Sequence, residues 1–348
     1  MRKKIELYGT LGPSDCKKDI LIKMFQAGMT GIRLNLSHSG LTDCEPWLST
    51  FYDAAEAMHI VPDLLVDLQG PEVRIGTLSA PLSLQKNDVI TFISTEEKNA
   101  AKCSNSDFII PLPSPVFSYL KKGQIIRMDD GKIIAVIEEC ENAFTARIRT
   151  EGVLTSRKSF SIDGISVQLP TLTAKDMEQI KLLSRYRVTG VMLPFVRGKE
   201  DLLCLRRALL DEGLSHIRIF AKIENLTGVS RLSAILPHCD HVVIARGDLG
   251  NAVPLSRLPA VQKEIARMCL LFKKPFMVVT QMLASMENHP VPTRAEVNDI
   301  FHSVLDGASS LMLTGETAMG QYPVEAMQML SDTAFEAQRY QMEAKFLP

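Results

Sequence analysis

The feature that most constrains the fold is an eightfold alternation of two patterns. Short apolar runs lie at 4–8, 30–36, 61–66, 188–194, 217–223, 241–245, 275–279 and 309–313. Each is followed by a stretch of helical period, at 16–28, 42–58, 173–186, 198–212, 226–236, 256–273, 294–306 and 323–340. The runs are continuously apolar, as strands are when both faces of a parallel sheet are covered. Eight strand–helix units are the number that closes such a sheet into a (β/α)8 TIM barrel, an α/β fold.

The third unit is interrupted. Between Gly70 and about Ser166 the period falls to two, in "PLSLQKNDVITFIS", "GQIIRMDDGKIIAVIEE" and "AFTARIRTEG". Asp129–Gly131 reads as a hairpin turn. These runs predict a small all-β barrel inserted after strand three, which divides the chain into a barrel domain at 1–69 and 166–348 and an insert at 70–165. The loops after the strands build the active site of this fold, so an insert there is placed to act as a lid.

Composition excludes several partners. The 348 residues carry a formal net charge of −1 with both signs mixed, which argues against a nucleic-acid surface. No apolar run reaches the length of a membrane span, and "MRKK" is not followed by an apolar signal core. The seven cysteines are scattered without CxxC spacing, which predicts reduced thiols and a cytoplasmic setting.

The polar residues at the strand ends carry the chemistry. In "IFAKIENL" at 219–226, alternation sends Phe220, Lys222 and Glu224 to one side and Ala221 and Ile223 to the other. The next strand ends in "IARGDLG", which brings Asp248 to the same end. Two carboxylates on neighbouring strands suit a hard divalent cation such as Mg2+. Lys222 beside them would supply a point charge to a phosphoryl group or a developing oxyanion. The alternative for Lys222 and Glu224 is a buried ion pair without function. Four further strand ends weigh against it. "RLNLSHSG" brings Arg33, Asn35 and Ser37, "VDLQGPEVRIG" brings Asp67, Glu72 and Arg74, "VTQMLASM" brings Thr280, and "LTGETAMG" closes the eighth strand. Arginines, a lysine and carboxylates at one mouth read as a phosphate and metal site.

Together these motifs resemble the pyruvate kinase family. The resemblance runs in order through "TLGPS", "GMTGIRLNLSHSG", "DLQGPEVRIG", "DDG", "FVR", "AKIEN", "IARGDLG", "TQMLASM", "PTRAEVNDI" and "MLTGETAMGQYPVEA", over essentially the whole chain. It implies a glycolytic phosphotransferase that moves the phosphoryl group of phosphoenolpyruvate to ADP, giving pyruvate and ATP. By matching position, Glu224 and Asp248 would hold Mg2+ or Mn2+, and Lys222 and Arg33 would meet the transferring group. Thr280 would lie near the proton path to the enolate, and the amides around Ala245, Arg246, Gly247 and Asp248 would take the substrate carboxylate. Asn35, Ser37, Asp67 and the Leu68 carbonyl match a K+ site, and Glu72 matches the glutamate of K+-dependent members. His38, Arg74 and Lys158, with Asn35, would face the nucleotide phosphates.

Several positions depart from the family pattern: Gln168 replaces an aspartate, Ala252 a glutamate and Pro194 a serine, while Ser159 and Ser161 alter the return from the insert. The sequence also stops where typical members continue into a C-terminal effector domain. These departures leave open a non-catalytic or weakly active paralogue that binds substrate or nucleotide, and a metal-dependent lyase or aldolase. A homo-oligomer through the barrel is the expected assembly.

Overall fold

The computed structural model describes residues 5–37, 39–96, 108–129, 131–139, 144–165, 167 and 169–343. The chain divides into two compact units, one of Met1–Gly70 and Thr171–Pro348, the other of Pro71–Pro170. The first unit begins with β1 (Glu6–Thr10), α1 (Lys18–Gln26), β2 (Gly31–Asn35), α2 (Glu45–Ala57) and β3 (Asp63–Asp67). The inserted unit supplies β4 (Leu82–Leu84), β5 (Val89–Ser94), β6 (Phe108–Leu112), β7 (Ile125–Met128), β8 (Ile133–Glu139), β9 (Phe144–Ile148), β10 (Gly152–Leu154) and β11 (Phe160–Ile162). The first unit then resumes with α3 (Ala174–Leu182), β12 (Gly190–Leu193), α4 (Lys199–Asp211), β13 (Arg218–Ile223), α5 (Leu226–Ser230) and α6 (Leu232–Ile235). It ends with β14 (His241–Ala245), α7 (Arg246–Ala252), α8 (Leu258–Leu271), β15 (Phe276–Val279), α9 (Arg294–Leu305), β16 (Ser310–Met312), α10 (Gly315–Ala318) and α11 (Pro323–Glu343).

Strands β1, β2, β3, β12, β13, β14, β15 and β16 form a closed parallel barrel in that order. Side-chain alternation sorts each strand between two cores. Ile219, Ala221 and Ile223 of β13 join the large core under the helices. Phe220 instead joins Tyr8, Leu65, Met192, Val243, Ala245, Met277, Val279 and Met312 inside the barrel. Glycines make room for the rings there: a methyl group on Gly190 would lie 2.5 Å from the Phe220 ring and 2.8 Å from Leu65.

The segment 226–236, which has the period of one helix, forms α5 and α6 instead. Arg231 between them has a non-helical backbone (φ −104°, ψ 14°). α7 and α10, of seven and four residues, follow β14 and β16 and are too short to show a period in the sequence. Among the described residues no helix is long and apolar enough to cross a membrane.

The inserted unit has its own core and two sheets, one of six strands in the order β11-β7-β8-β9-β5-β6 and one pairing β10 with β4. β7 and β8 form an antiparallel hairpin in which Met128 faces Ile133. The turn between them needs left-handed backbone at Asp129 (φ 50°) and Gly131 (φ 83°).

One buried carboxyl sits in the turn between β1 and α1. Asp15 is fully buried; its Oδ1 accepts the Gly12 N–H at 2.8 Å, and its Oδ2 has no hydrogen-bond partner among the described residues. Burial pushes its pKa up to about 8, against the pull of the two backbone amides that favour the charged form.

Two predictions follow from this packing. Gly190→Ala should overpack the barrel interior and cost about 1–3 kcal/mol, read as a lower midpoint in urea. Because folded Asp15 holds its proton to higher pH than the unfolded chain does, its contribution should make stability fall as pH rises from about 4 to 8. Asp15→Asn should remove that part of the slope, on the order of a few kcal/mol over the interval, in paired urea titrations of the two proteins.

Candidate active site at the C-terminal end of the barrel

The inward positions above the apolar interior of the barrel are polar. On β13, Lys222 follows Phe220 on the same face. On β3, Asp67 follows Leu65, and its register partners are Asn35 of β2 and Met192 of β12. Arg33 of β2 faces inward between Ile32 and Leu34, which both belong to the outer core.

Asp67 is 1% exposed and gathers two cations. Arg33 donates from Nε at 2.8 Å, and its Nη2 lies 2.7 Å from the same Oδ2. Lys222 Nζ donates to both carboxylate oxygens, at 3.2 and 3.1 Å. Lys222 also pairs with Glu224 Oε1 at 3.0 Å. The other oxygen of Glu224 accepts the backbone N–H of Phe195 at 2.8 Å. Thr10 Oγ1 lies 3.4 Å from Arg33 Nη1 and donates to the Leu313 carbonyl at 2.9 Å, which ties β1 and the end of β16 to the cluster.

The electrostatics follow from crowding charges away from water. Burial works to lower the Lys222 pKa, but Asp67 and Glu224, with a smaller share from Asp248, overcome it and hold the ammonium above its ordinary value. For Glu224, burial is the largest effect and raises the carboxyl pKa; Lys222 opposes this, while the charges of Asp248 and Asp67 reinforce it. Asp248 thus stands within electrostatic reach of both residues, in the first turn of α7.

The loops after β14 and β15 are fixed by Arg246. It donates from Nε and Nη2 to the Thr280 carbonyl, at 3.1 and 2.7 Å, and from Nη2 to the Gln281 carbonyl at 3.2 Å. Its Nη1 meets Asp299 of α9 at 2.5 Å. Thr280 and Gln281 both have positive φ, 77° and 54°, a conformation that side chains disfavour and that these bonds stabilise. A methyl group on Gly247 would lie 3.1 Å from Thr280 Cγ2, so the turn beginning α7 and the end of β15 pack closely.

The remaining candidates have other partners. Asn35 Oδ1 accepts the Ser37 N–H at 3.1 Å, and the Leu68 N–H donates to the Met192 carbonyl at 3.2 Å. Arg74 belongs to the inserted unit, where it pairs with Glu72 at 2.5 Å and donates to the Arg157 carbonyl at 2.9 Å. Lys158, also in that unit, pairs with Asp129 at 2.7 Å. His38 and Gln168 lie outside the described residues. Sequence reasoning missed Thr10, Phe195 and Asp299. Phe195 acts through its backbone amide, which leaves no mark on the sequence, whereas Asp299 lies in the "PTRAEVNDI" motif and could have been weighed as a partner for Arg246.

Comparison with known proteins decides the family. The model of the pyruvate kinase barrel domain matches residues 2–327. The chain belongs to the pyruvate kinase family. The pyruvate kinase of Clostridium acetobutylicum is 33% identical over 348 residues, 99% of this chain and 72% of the relative. That of Aeropyrum pernix is 37% identical over 333 residues, 95% and 70% of the two chains. That of Candida albicans is 34% identical over 342 residues, 97% and 67%.

The Arg246 clamp yields a structural prediction. Arg246→Lys cannot serve both carbonyls and Asp299 with the fixed fork of a guanidinium. It should cost about 1–3 kcal/mol and speed amide hydrogen exchange at residues 280–283.

Proposed function

We propose that the protein transfers the phosphoryl group of phosphoenolpyruvate to ADP, giving pyruvate and ATP. The observation that supports this most directly is the convergence of Arg33, Asp67, Lys222 and Glu224 in one buried cluster at the end of the barrel where this fold builds its active sites. Such a set suits a reaction that depends on positioning and charge neutralisation more than on covalent help.

Glu224 and Asp248 fit a divalent cation. Both are hard oxygen donors, and the charge of Asp248 helps raise the Glu224 pKa, a repulsion that a divalent ion would relieve. When bound, Mg2+ or Mn2+ supplies Lewis-acid charge to the phosphoryl and enolate oxygens. Asn35, Ser37, Asp67 and the Leu68 carbonyl form an all-oxygen set suited to K+, and the K+ requirement is part of the proposal.

In this reading Lys222 and Arg33 neutralise the phosphoryl group as the bond to the enol oxygen breaks and a terminal phosphate oxygen of ADP takes the phosphorus. The raised pKa of Lys222 keeps it cationic in the free enzyme, so its role is charge stabilisation and not base catalysis. The enolate left behind takes a proton at its terminal carbon, along a path beside Thr280 and water. The amides of residues 245–248 hold the substrate carboxylate. Asn35 meets the nucleotide phosphates.

The test is a coupled assay of pyruvate formation from phosphoenolpyruvate and ADP with Mg2+, comparing K+ with Na+. Turnover should require K+, and Lys222→Met should lower kcat by on the order of 10²–10³-fold. Calorimetric binding of phosphoenolpyruvate without turnover would instead favour the non-catalytic paralogue.

A further inference from the structure

We infer that the loop 194–197 links Glu224 to both chain connections of the inserted unit, so that metal binding at Glu224 and the ordering of those connections are thermodynamically coupled. The inference rests on the reading of Glu224 as a metal ligand.

The four residues follow β12 and touch three things. On one side Phe195 donates its N–H to Glu224 Oε2 at 2.8 Å, and the Val196 N–H and carbonyl meet the Lys222 carbonyl and Asn225 Nδ2, each at 3.3 Å. On the outgoing connection, Gly70 lies against the Pro194 ring: a methyl group on it would come within 2.3 Å of Pro194 Cγ. The backbone of Gly70 (φ 63°) is held by the buried carboxylate of Asp176, which accepts the N–H groups of Gln69 at 2.9 Å and Gly70 at 3.2 Å. That carboxylate also accepts the N–H and hydroxyl of Thr173, in the capping box that starts α3. On the return connection, Asp201 accepts from Arg197 through its backbone N–H at 2.8 Å and Nη2 at 2.8 Å, and from the Thr171 hydroxyl at 2.5 Å.

The loop therefore has no slack. Phe195 has φ 54°, a costly conformation for an aromatic residue that persists where its surroundings over-determine it. Pro194 and Arg197 hold the loop on either side of that amide. A cation on Glu224 draws that carboxylate into one position and so fixes the Phe195 amide. By linkage, if the metal favours the ordered form of Gly70 and Thr171, that ordered form favours the metal by the same coupling free energy. Asp176, Pro194 and Asp201 are positioning residues, acting on the metal through the Phe195 amide.

The experiment uses Mn2+ alone, without substrate or nucleotide. Electron paramagnetic resonance gives the Mn2+ Kd of the wild type, Glu224→Gln, Asp201→Asn and Pro194→Gly proteins. Outer partners of metal ligands carry effects of 10–100-fold in affinity, so Asp201→Asn and Pro194→Gly should each weaken Mn2+ binding by on the order of tenfold. In the wild type, Mn2+ should slow hydrogen exchange at the Gly70 and Arg197 amides, a readout that does not depend on how the variants fold. Loss of the Mn2+ site in no variant, including Glu224→Gln, would overturn the metal reading itself. Loss of the site in Glu224→Gln, with unchanged affinity in the other two or with Mn2+-insensitive exchange at Gly70 and Arg197, would overturn the coupling alone.

Discussion

The carboxylate of Asp67 is the contact on which the rest of the site depends. Arg33 and Lys222 both face the barrel interior, and each would be prohibitively costly to bury without a counter-charge. Asp67 meets both with a single side chain, and Glu224 supplies the second negative charge to Lys222. This arrangement exists only in one register. Asn35 lies opposite Asp67, Met192 opposite Asp67 and Met192 opposite Phe220, which fixes Lys222 at the inward position above the aromatic layer. A slip of one residue on β13 would send Lys222 into the helix-facing core and Ile223 into the mouth. The charge cluster and the barrel register therefore select each other.

A cluster held this way is rigid, and rigidity is what phosphoryl transfer asks of a site. Preorganised charges act without the reorganisation that water would require. Lys222 is held by two carboxylates, Glu224 by an ammonium and a backbone amide, and Thr280 by a guanidinium that is itself anchored to a neighbouring helix. Glu224 is thus oriented in part by the Phe195 amide, and Thr280 by the Arg246 guanidinium, groups that are read as touching neither substrate nor metal.

Much of this was legible in the sequence. Period-2 alternation correctly sent Phe220 inward and Ala221 and Ile223 outward, because a strand with two different burial environments writes them into alternate residues. The eight strands were visible for a different reason: both faces of the barrel sheet are covered, so each strand reads as a continuous apolar run. The break at Arg231 was not, since α5 and α6 together keep the apolar spacing of a single helix. α7 and α10 were missed because one or two turns cannot establish a 3.6-residue period. Lys222, Glu224 and Asp67 stood out as charges in apolar runs. The backbone amide of Phe195 and the carbonyls that receive Arg246 could not, because every residue carries them.

The inserted unit changes what the barrel loops must do. A plain strand-to-helix loop has only to join two elements, whereas the segment after β3 leaves the barrel for about a hundred residues before Thr171 resumes it. Two flexible crossings beside the site would let the ends of β3 and α3 fray, with Asp67 at the end of β3. Asp176 counters this by binding the amides of Gln69 and Gly70 while capping α3, so one carboxylate closes the gap that the insertion opens. Asp201 does the same for Thr171 through its bond to the hydroxyl. Both aspartates are buried and both engage several donors, as buried polar groups do. The barrel thus keeps the end of β3 in register with a large insertion in the following loop, and the charge pairing at Asp67 requires that register.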